Sequence, residues 1–133
     1  MSALKAELES WIGTPFRHRC GVKGGGVDCI HLVVRVLEAF GHPPVRIPPY
    51  SKDWHIHNGF ELLLTEIRTQ LQVDELDDLN RPEDGDIYLF KFGKALSHAG
   101  IYCDGLLYHS VFGCRVVAVP WTDSMWSKRK GAG

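Results

Sequence analysis

Long hydrophobic runs are missing from this sequence: no apolar stretch approaches the ~18 residues that a membrane-crossing helix needs, so bilayer insertion is not expected. An excess of charge of either sign is missing too. Fifteen Lys and Arg stand against 16 Asp and Glu, a net charge of −1, which offers nucleic acid no bulk attraction. Cysteine is sparse, and Cys20, Cys29, Cys103 and Cys114 lack the regular spacing of a disulfide framework. The first ten residues are polar and helix-forming, without a signal-peptide pattern. Synthesis and folding in the cytoplasm, with free thiols, are therefore the expectation. No internal repeat and no dividing linker is visible in the 133 residues, and 44% hydrophobic content suits one soluble domain. We place that domain at residues 1–126 and read the basic 127–133 as a flexible, solvated tail.

What is present reads as helices first and strands afterwards. Leu4, Leu8, Trp11 and Ile12 repeat at helical spacing, and Gly13 and Pro15 stop the helix. After the glycine-rich Gly24-Gly25-Gly26-Val27, Asp28 stands as an N-cap ahead of a helix running to Phe40, with Gly41 as its stop. Four prolines (43, 44, 48, 49) open a loop carrying Tyr50, Trp54, His55 and His57, and Phe60, Leu63, Leu64, Ile67 and Leu71 mark a third helix. The period then changes. Strands are expected over 86–92, 99–103, 106–110 and 115–119, with Asp104-Gly105 as a two-residue hairpin turn. Helices followed by an antiparallel meander give an α+β fold.

The chemistry gathers around Cys29. It opens the second helix, where unpaired backbone N–H groups and the helix dipole favour a thiolate. It also leads the apolar stripe Cys29, Leu32, Val33, Val36, Leu37, Phe40, while His31 lies about 200° round the wheel and is a poor candidate base. In the hairpin, the Asp-Gly turn pairs Cys103 with Leu106 and, by extension, Gly100 with His109. That register sets His98 and His109 on one sheet face as diagonal neighbours, with Cβ atoms within ~7–8 Å. Gly100 leaves room for the two imidazoles. Tyr102, Leu107 and Val111 share the face, which is expected to pack on the helix led by Cys29. Nucleophile, base and orienting group are then all supplied.

These residues resemble a family. Gly13-Thr14-Pro15-Phe16, Gly26-Val27-Asp28-Cys29, Gly85-Asp86-Ile87, Ser97-His98-Ala99-Gly100-Ile101-Tyr102 and Tyr108-His109-Ser110 are similar to the motifs of the NlpC-type cell-wall cysteine peptidases. Residues 23–29 and 50–57 resemble more narrowly the bacteriophage and prophage branch, whose members sit among tail-assembly genes. The resemblance implies a reduced papain-like fold and hydrolysis of peptidoglycan stem peptides, typically at a D-glutamyl–diaminopimelyl bond. It implies Cys29 as nucleophile, His98 as base and His109 as the group that orients His98, with no metal or organic cofactor. Partners would be the stem peptide and phage tail proteins, and the chain would reach the wall with a virion. Three positions depart from the pattern: Ile30-His31 stand where Ser-Gly is usual, and Phe16 replaces a tyrosine, with His18 a candidate for its polar contact.

The other clusters say less. Trp54, His55 and His57 fit a substrate groove as well as a loop pinned by a buried tryptophan. Cys20, His18, Cys29 and His31 match no standard zinc spacing, and Cys103 and Cys114 read as packing residues. No substrate-binding residue is identified by pattern. Two further functions stay open: a tail-assembly component with idle catalytic residues, and a thiol hydrolase or acyltransferase on another amide or ester.

Overall fold

Asp28 starts the central helix in the way the sequence predicts. In the computed structural model, which describes residues 2–44, 82–92, 95–121 and 130–132, helix α2 runs Cys29–Ala39, and the extended Asp28 accepts the His31 N–H on its carboxylate. A cap of this kind contributes about 1 kcal/mol. At the other end Gly41 takes φ +94° and donates its N–H to the Glu38 carbonyl. The helix is more deeply buried than a one-sided stripe implies. Ile30 and Val34 are as buried as Leu32 and Val36, because α1 (Ala3–Trp11) and the short strand β1 (Gly21–Val22) pack on α2 along with the main sheet. Phe40, expected on the stripe, is instead half exposed at the C-cap.

Helix α1 buries Leu8 and Trp11, and Ser2 caps it by accepting the Lys5 N–H. Ile12 does not join the core. Its backbone has already left the helix (φ −54°, ψ 132°), and the side chain is exposed. The following Gly13 N–H bonds the Val116 carbonyl, which ties this end of α1 to the sheet. Between α1 and α2 the glycine-rich stretch forms a two-stranded hairpin, β1 with β2 (Gly26–Val27).

The main sheet has five strands in the order β6-β5-β4-β3-β7. They are β3 (Ile87–Phe92), β4 (Ala95–Cys103), β5 (Leu106–Ser110), β6 (Val116–Pro120) and β7 (Lys130–Ala132). Asp104 and Gly105 both have positive φ (51° and 79°), as a type I′ turn requires, and they set the expected register: Cys103↔Leu106, Tyr102↔Leu107, Ile101↔Tyr108. Strand β4 starts earlier than expected. It pairs with β3 through Phe90↔His98 and then shifts to Lys91↔Leu96, so the extra residue of a bulge falls beside His98. Bulges of this kind re-aim side chains next to functional sites.

Alternation along β4 and β5 gives the sheet two faces, and the face on α2 is not the one expected. Leu89, Ala99, Ile101, Cys103, Tyr108 and Val116 form one core with α2 and α1. Leu107 and Tyr102 point the other way, into a second cluster with Tyr88, Phe90, Val119 and Trp121. The helix buries against the small and aliphatic side chains of β4. The aromatic cluster closes on itself, with the Trp121 ring 4.3 Å from that of Tyr88.

Two other expectations change. Lys130–Ala132, read as part of a flexible tail, pairs antiparallel with β3, since the outer edge of β3 offers unpaired backbone groups that extended chain can satisfy. Cys114 is exposed in the β5–β6 turn, whereas Cys103 is buried in the core. The expected third helix over Phe60–Leu71, and the loop with Trp54, His55 and His57, lie outside the described residues.

Candidate active site

Cys29 is the first residue of α2 and is 3% exposed. Its sulfur lies against the backbone N–H groups of Ala99, Ile30 and Cys29 itself, all of which favour the thiolate. They do not prevail. Burial, followed by the neighbouring Asp28 carboxylate, pushes the Cys29 thiol up to about 12. The helix start therefore does not produce a standing thiolate here, contrary to the expectation from position alone: loss of hydration outweighs a few backbone dipoles.

Asp28 holds this corner of the molecule in place. Its carboxylate accepts the His31 N–H at 2.8 Å, the His31 ring Nδ1 at 2.8 Å, and the Arg19 N–H at 2.9 Å. Arg19 sits at φ +59°, a left-handed conformation uncommon for a non-glycine residue, and this hydrogen bond helps to hold it there. His31 thus serves the carboxylate before Cys29, in keeping with its place round the helix from the sulfur.

The two sheet histidines meet. His98 Nε2 and His109 Nδ1 are 2.8 Å apart, with the rings edge-on at 68°. His98 is nearly buried and His109 wholly so. Burial, and then the adjacent His109, lower the His98 imidazole to about 3, so it rests neutral. Phe90 covers it at a centroid distance of 5.9 Å. The space for the pair depends on Gly100, where a Cβ would lie 3.2 Å from His109 Cβ and 2.8 Å from Leu107 Cδ1.

His98 and Ala99 are consecutive on β4 and point to opposite faces. Cys29 Sγ touches the backbone of Ala99 from the helix side, while the His98 ring stands on the aromatic side. The Cys29 sulfur and the His98–His109 pair are therefore brought to one stretch of β4, next to its bulge.

Ser110 has a part that sequence reasoning gave it no role for. Its hydroxyl donates to the Val27 carbonyl at 2.7 Å, fully buried, and so ties the residue after His109 to the strand before Cys29. The signal was available: alternation puts Ser110 on the apolar, helix-facing side, where a hydroxyl needs a partner. Thr14 acts similarly, accepting the Gly24 N–H at 3.0 Å. Phe16 runs alongside β2, bridged to Val27, and its ring meets that of Phe112 at 5.2 Å.

The comparisons agree on one family. The NlpC/P60 family model matches residues 13–131. A solved structure described as similar to lipoprotein, NLP/P60 family, from Staphylococcus aureus subsp. aureus Mu50, superposes with a TM-score of 0.64 at 18% identity. The match takes in 97% of this chain but 39% of that one, so the chain spans about two fifths of that relative's length. The NlpC/p60 domain of peptidoglycan hydrolase SagA superposes with a TM-score of 0.61 at 18% identity, over 89% of this chain and 86% of that domain. Both likenesses establish the α+β fold. No curated protein matches the chain.

Proposed function

The chain belongs to the NlpC/P60 family, and we propose that, as a cysteine peptidase of that family, it hydrolyses peptidoglycan stem peptides through an acyl-enzyme on Cys29. The observation that carries this reading is the His98–His109 pair, bonded at 2.8 Å one residue from the backbone that holds the Cys29 sulfur.

With His98 Nε2–H donating to His109 Nδ1, the other nitrogen of His98 is the proton acceptor. The thiol and imidazole both rest neutral, so the proton moves from Sγ to His98 as the sulfur attacks the scissile carbonyl, rather than beforehand. The resulting oxyanion is met by the Cys29 N–H at the helix start. Collapse of the tetrahedral intermediate breaks the C–N bond, and the leaving amine takes its proton from His98. Water then attacks the thioester, giving its proton to His98, and the C–S bond breaks to release the Cys29 thiolate, which recovers that proton from His98. His109 keeps the imidazole in the required tautomer and orientation throughout.

The finer reading is cleavage of the D-glutamyl–diaminopimelyl bond by a chain delivered with a phage or prophage tail. It is supported by the likeness of residues 23–29 and 50–57 to that branch, and co-sedimentation with tail particles checks the delivery. The activity itself is tested by mass spectrometry of muropeptides after digestion of purified sacculi. Wild type is expected to release products cut within the stem peptide and Cys29→Ala none. Equal release by both proteins would overturn the proposal.

A further inference from the structure

Beside the catalytic segments lies an open cleft of about 550 Å³ lined by Phe16, Arg17, His18, Cys20, Phe112 and Gly113. Its walls are chain neighbours of the site. Phe16 is bridged to Val27, the Arg17 N–H bonds the Val27 carbonyl, and the Cys20 carbonyl accepts the Asp28 N–H just before the nucleophile. On the other side, Phe112 follows His109 by three residues in the turn after β5.

Three features of the cleft point to a ligand. First, Arg17 is exposed yet fixed. Its methylenes lie across Gly26, where a Cβ would run into the Arg17 side chain, and its Nε–H donates to the Gly25 carbonyl at 2.8 Å. Among the described residues no carboxylate pairs with this guanidinium, so its two terminal NH₂ groups are oriented without an ion-pair partner. Second, none of the six lining residues is acidic, so the cleft suits an anion. Third, Phe112 is 79% exposed, held edge-on against Phe16. The two rings together give the cleft an apolar wall beside the Arg17 side, which an apolar group of a ligand can cover.

We infer that this cleft is a substrate subsite in which the Arg17 guanidinium binds a carboxylate of the peptide and Phe112 covers the apolar part of the same segment. The inference rests on the stem-peptide reading for its substrate class, since such peptides combine small apolar side chains with free carboxylates. A guanidinium fixed by its Nε–H and stem loses little entropy on binding, and its remaining N–H groups match a carboxylate in a two-point fashion. Phe112→Ala should weaken the binding of every such peptide a few-fold, through lost apolar cover.

The test uses binding rather than turnover as its main readout. A stem peptide with all carboxylates free, and versions with each carboxylate amidated in turn, are titrated by calorimetry into the Cys29→Ala protein, and into Cys29→Ala carrying Arg17→Gln or Arg17→Lys. Arg17 is exposed, so these variants keep the fold, as circular dichroism will check. One amidation is expected to weaken binding by about tenfold, the scale of a charge-assisted pair. Arg17→Gln should cause the same loss with the free peptide and no further loss with that amidated one, and Arg17→Lys should recover only part. If no single amidation couples to Arg17→Gln, the subsite is overturned. Turnover by wild type, read in parallel, separates the two claims. Arg17-dependent binding without turnover removes the hydrolase and keeps the subsite, turnover with Arg17-independent binding does the reverse, and neither binding nor turnover removes both.

Discussion

The two faces of the five-stranded sheet are built for different tasks. The helix-facing side is continuous and apolar: Leu89, Ala99, Ile101, Cys103, Tyr108 and Val116 bury against α2, and Cys29 is part of that core. The far side carries the polar pair His98 and His109 beside a cluster of aromatic rings. Period-two alternation of a strand forces this separation, because neighbouring residues of β4 must point apart. Cys29 therefore belongs to the stable core, and His98 stands beside the β4 bulge, one backbone step from the Ala99 that the Cys29 sulfur meets. Burial on either side of this step, more than the neighbouring Asp28 or His109, sets the resting electrostatics. Cys29 and His98 are both stripped of water and rest neutral, so the proposed mechanism activates the thiol only as it attacks.

Changes on the histidine face should affect catalysis most and the core least. His98→Ala is expected to lower kcat/KM by about 10²–10⁴-fold, the range of a general base. His109→Ala should cost about 10²-fold, as a misplaced imidazole does, with part recovered by His109→Asn, which can still bond His98. Peptide turnover measures both, and chemical denaturation should show little change in the helix-side core for His98→Ala. Comparable losses from conservative changes at Ile101 or Val116 would erase the distinction between faces.

The second prediction concerns acid. Folded His98 is held to about 3, while the unfolded chain protonates it near 6.5. Between those values the unfolded state binds a proton that the folded state does not, so stability falls as pH drops through the window. A loss of roughly 2–3 kcal/mol from this group is expected between pH 7 and pH 4.5. Denaturant midpoints at the two pH values measure it, and His98→Gln should flatten the dependence. An unchanged slope in that variant would contradict the burial of a neutral imidazole.

A smaller effect tests where the faces meet the turn. Gly100→Ala adds a Cβ 2.8 Å from Leu107 Cδ1 and 3.1 Å from the Tyr108 carbonyl oxygen, on the His109 side. Overpacking of this kind costs about 1–3 kcal/mol. It should lower activity more than the loss of fold explains, by displacing His109, which thermal melts and kcat measured together will resolve.

Much of this was legible in the sequence, for local reasons. Asp28 as a cap and Asp104-Gly105 as a type I′ turn follow from residue chemistry within a few positions. The turn then fixes the register that puts His98 and His109 together. What failed needed tertiary information. Which sheet face α2 covers depends on how side-chain volumes fit across the layers, and alternation alone gives both answers equally. The thiol's rise rather than fall depends on burial by β4, some 70 residues away in the chain. The edge strand at Lys130–Ala132 reflects pairing with a strand 40 residues earlier, where local composition signals only a polar segment.

The account turns on one covalent bond. Wild type mixed rapidly with a stem peptide and quenched in acid can be measured by intact-protein mass spectrometry, with the modified residue then located by peptide mapping. The account predicts a transient mass increase equal to the acyl half of the peptide, confined to Cys29 and absent from Cys29→Ala. Peptide turnover with no adduct on Cys29, together with undiminished turnover by Cys29→Ala, would contradict it.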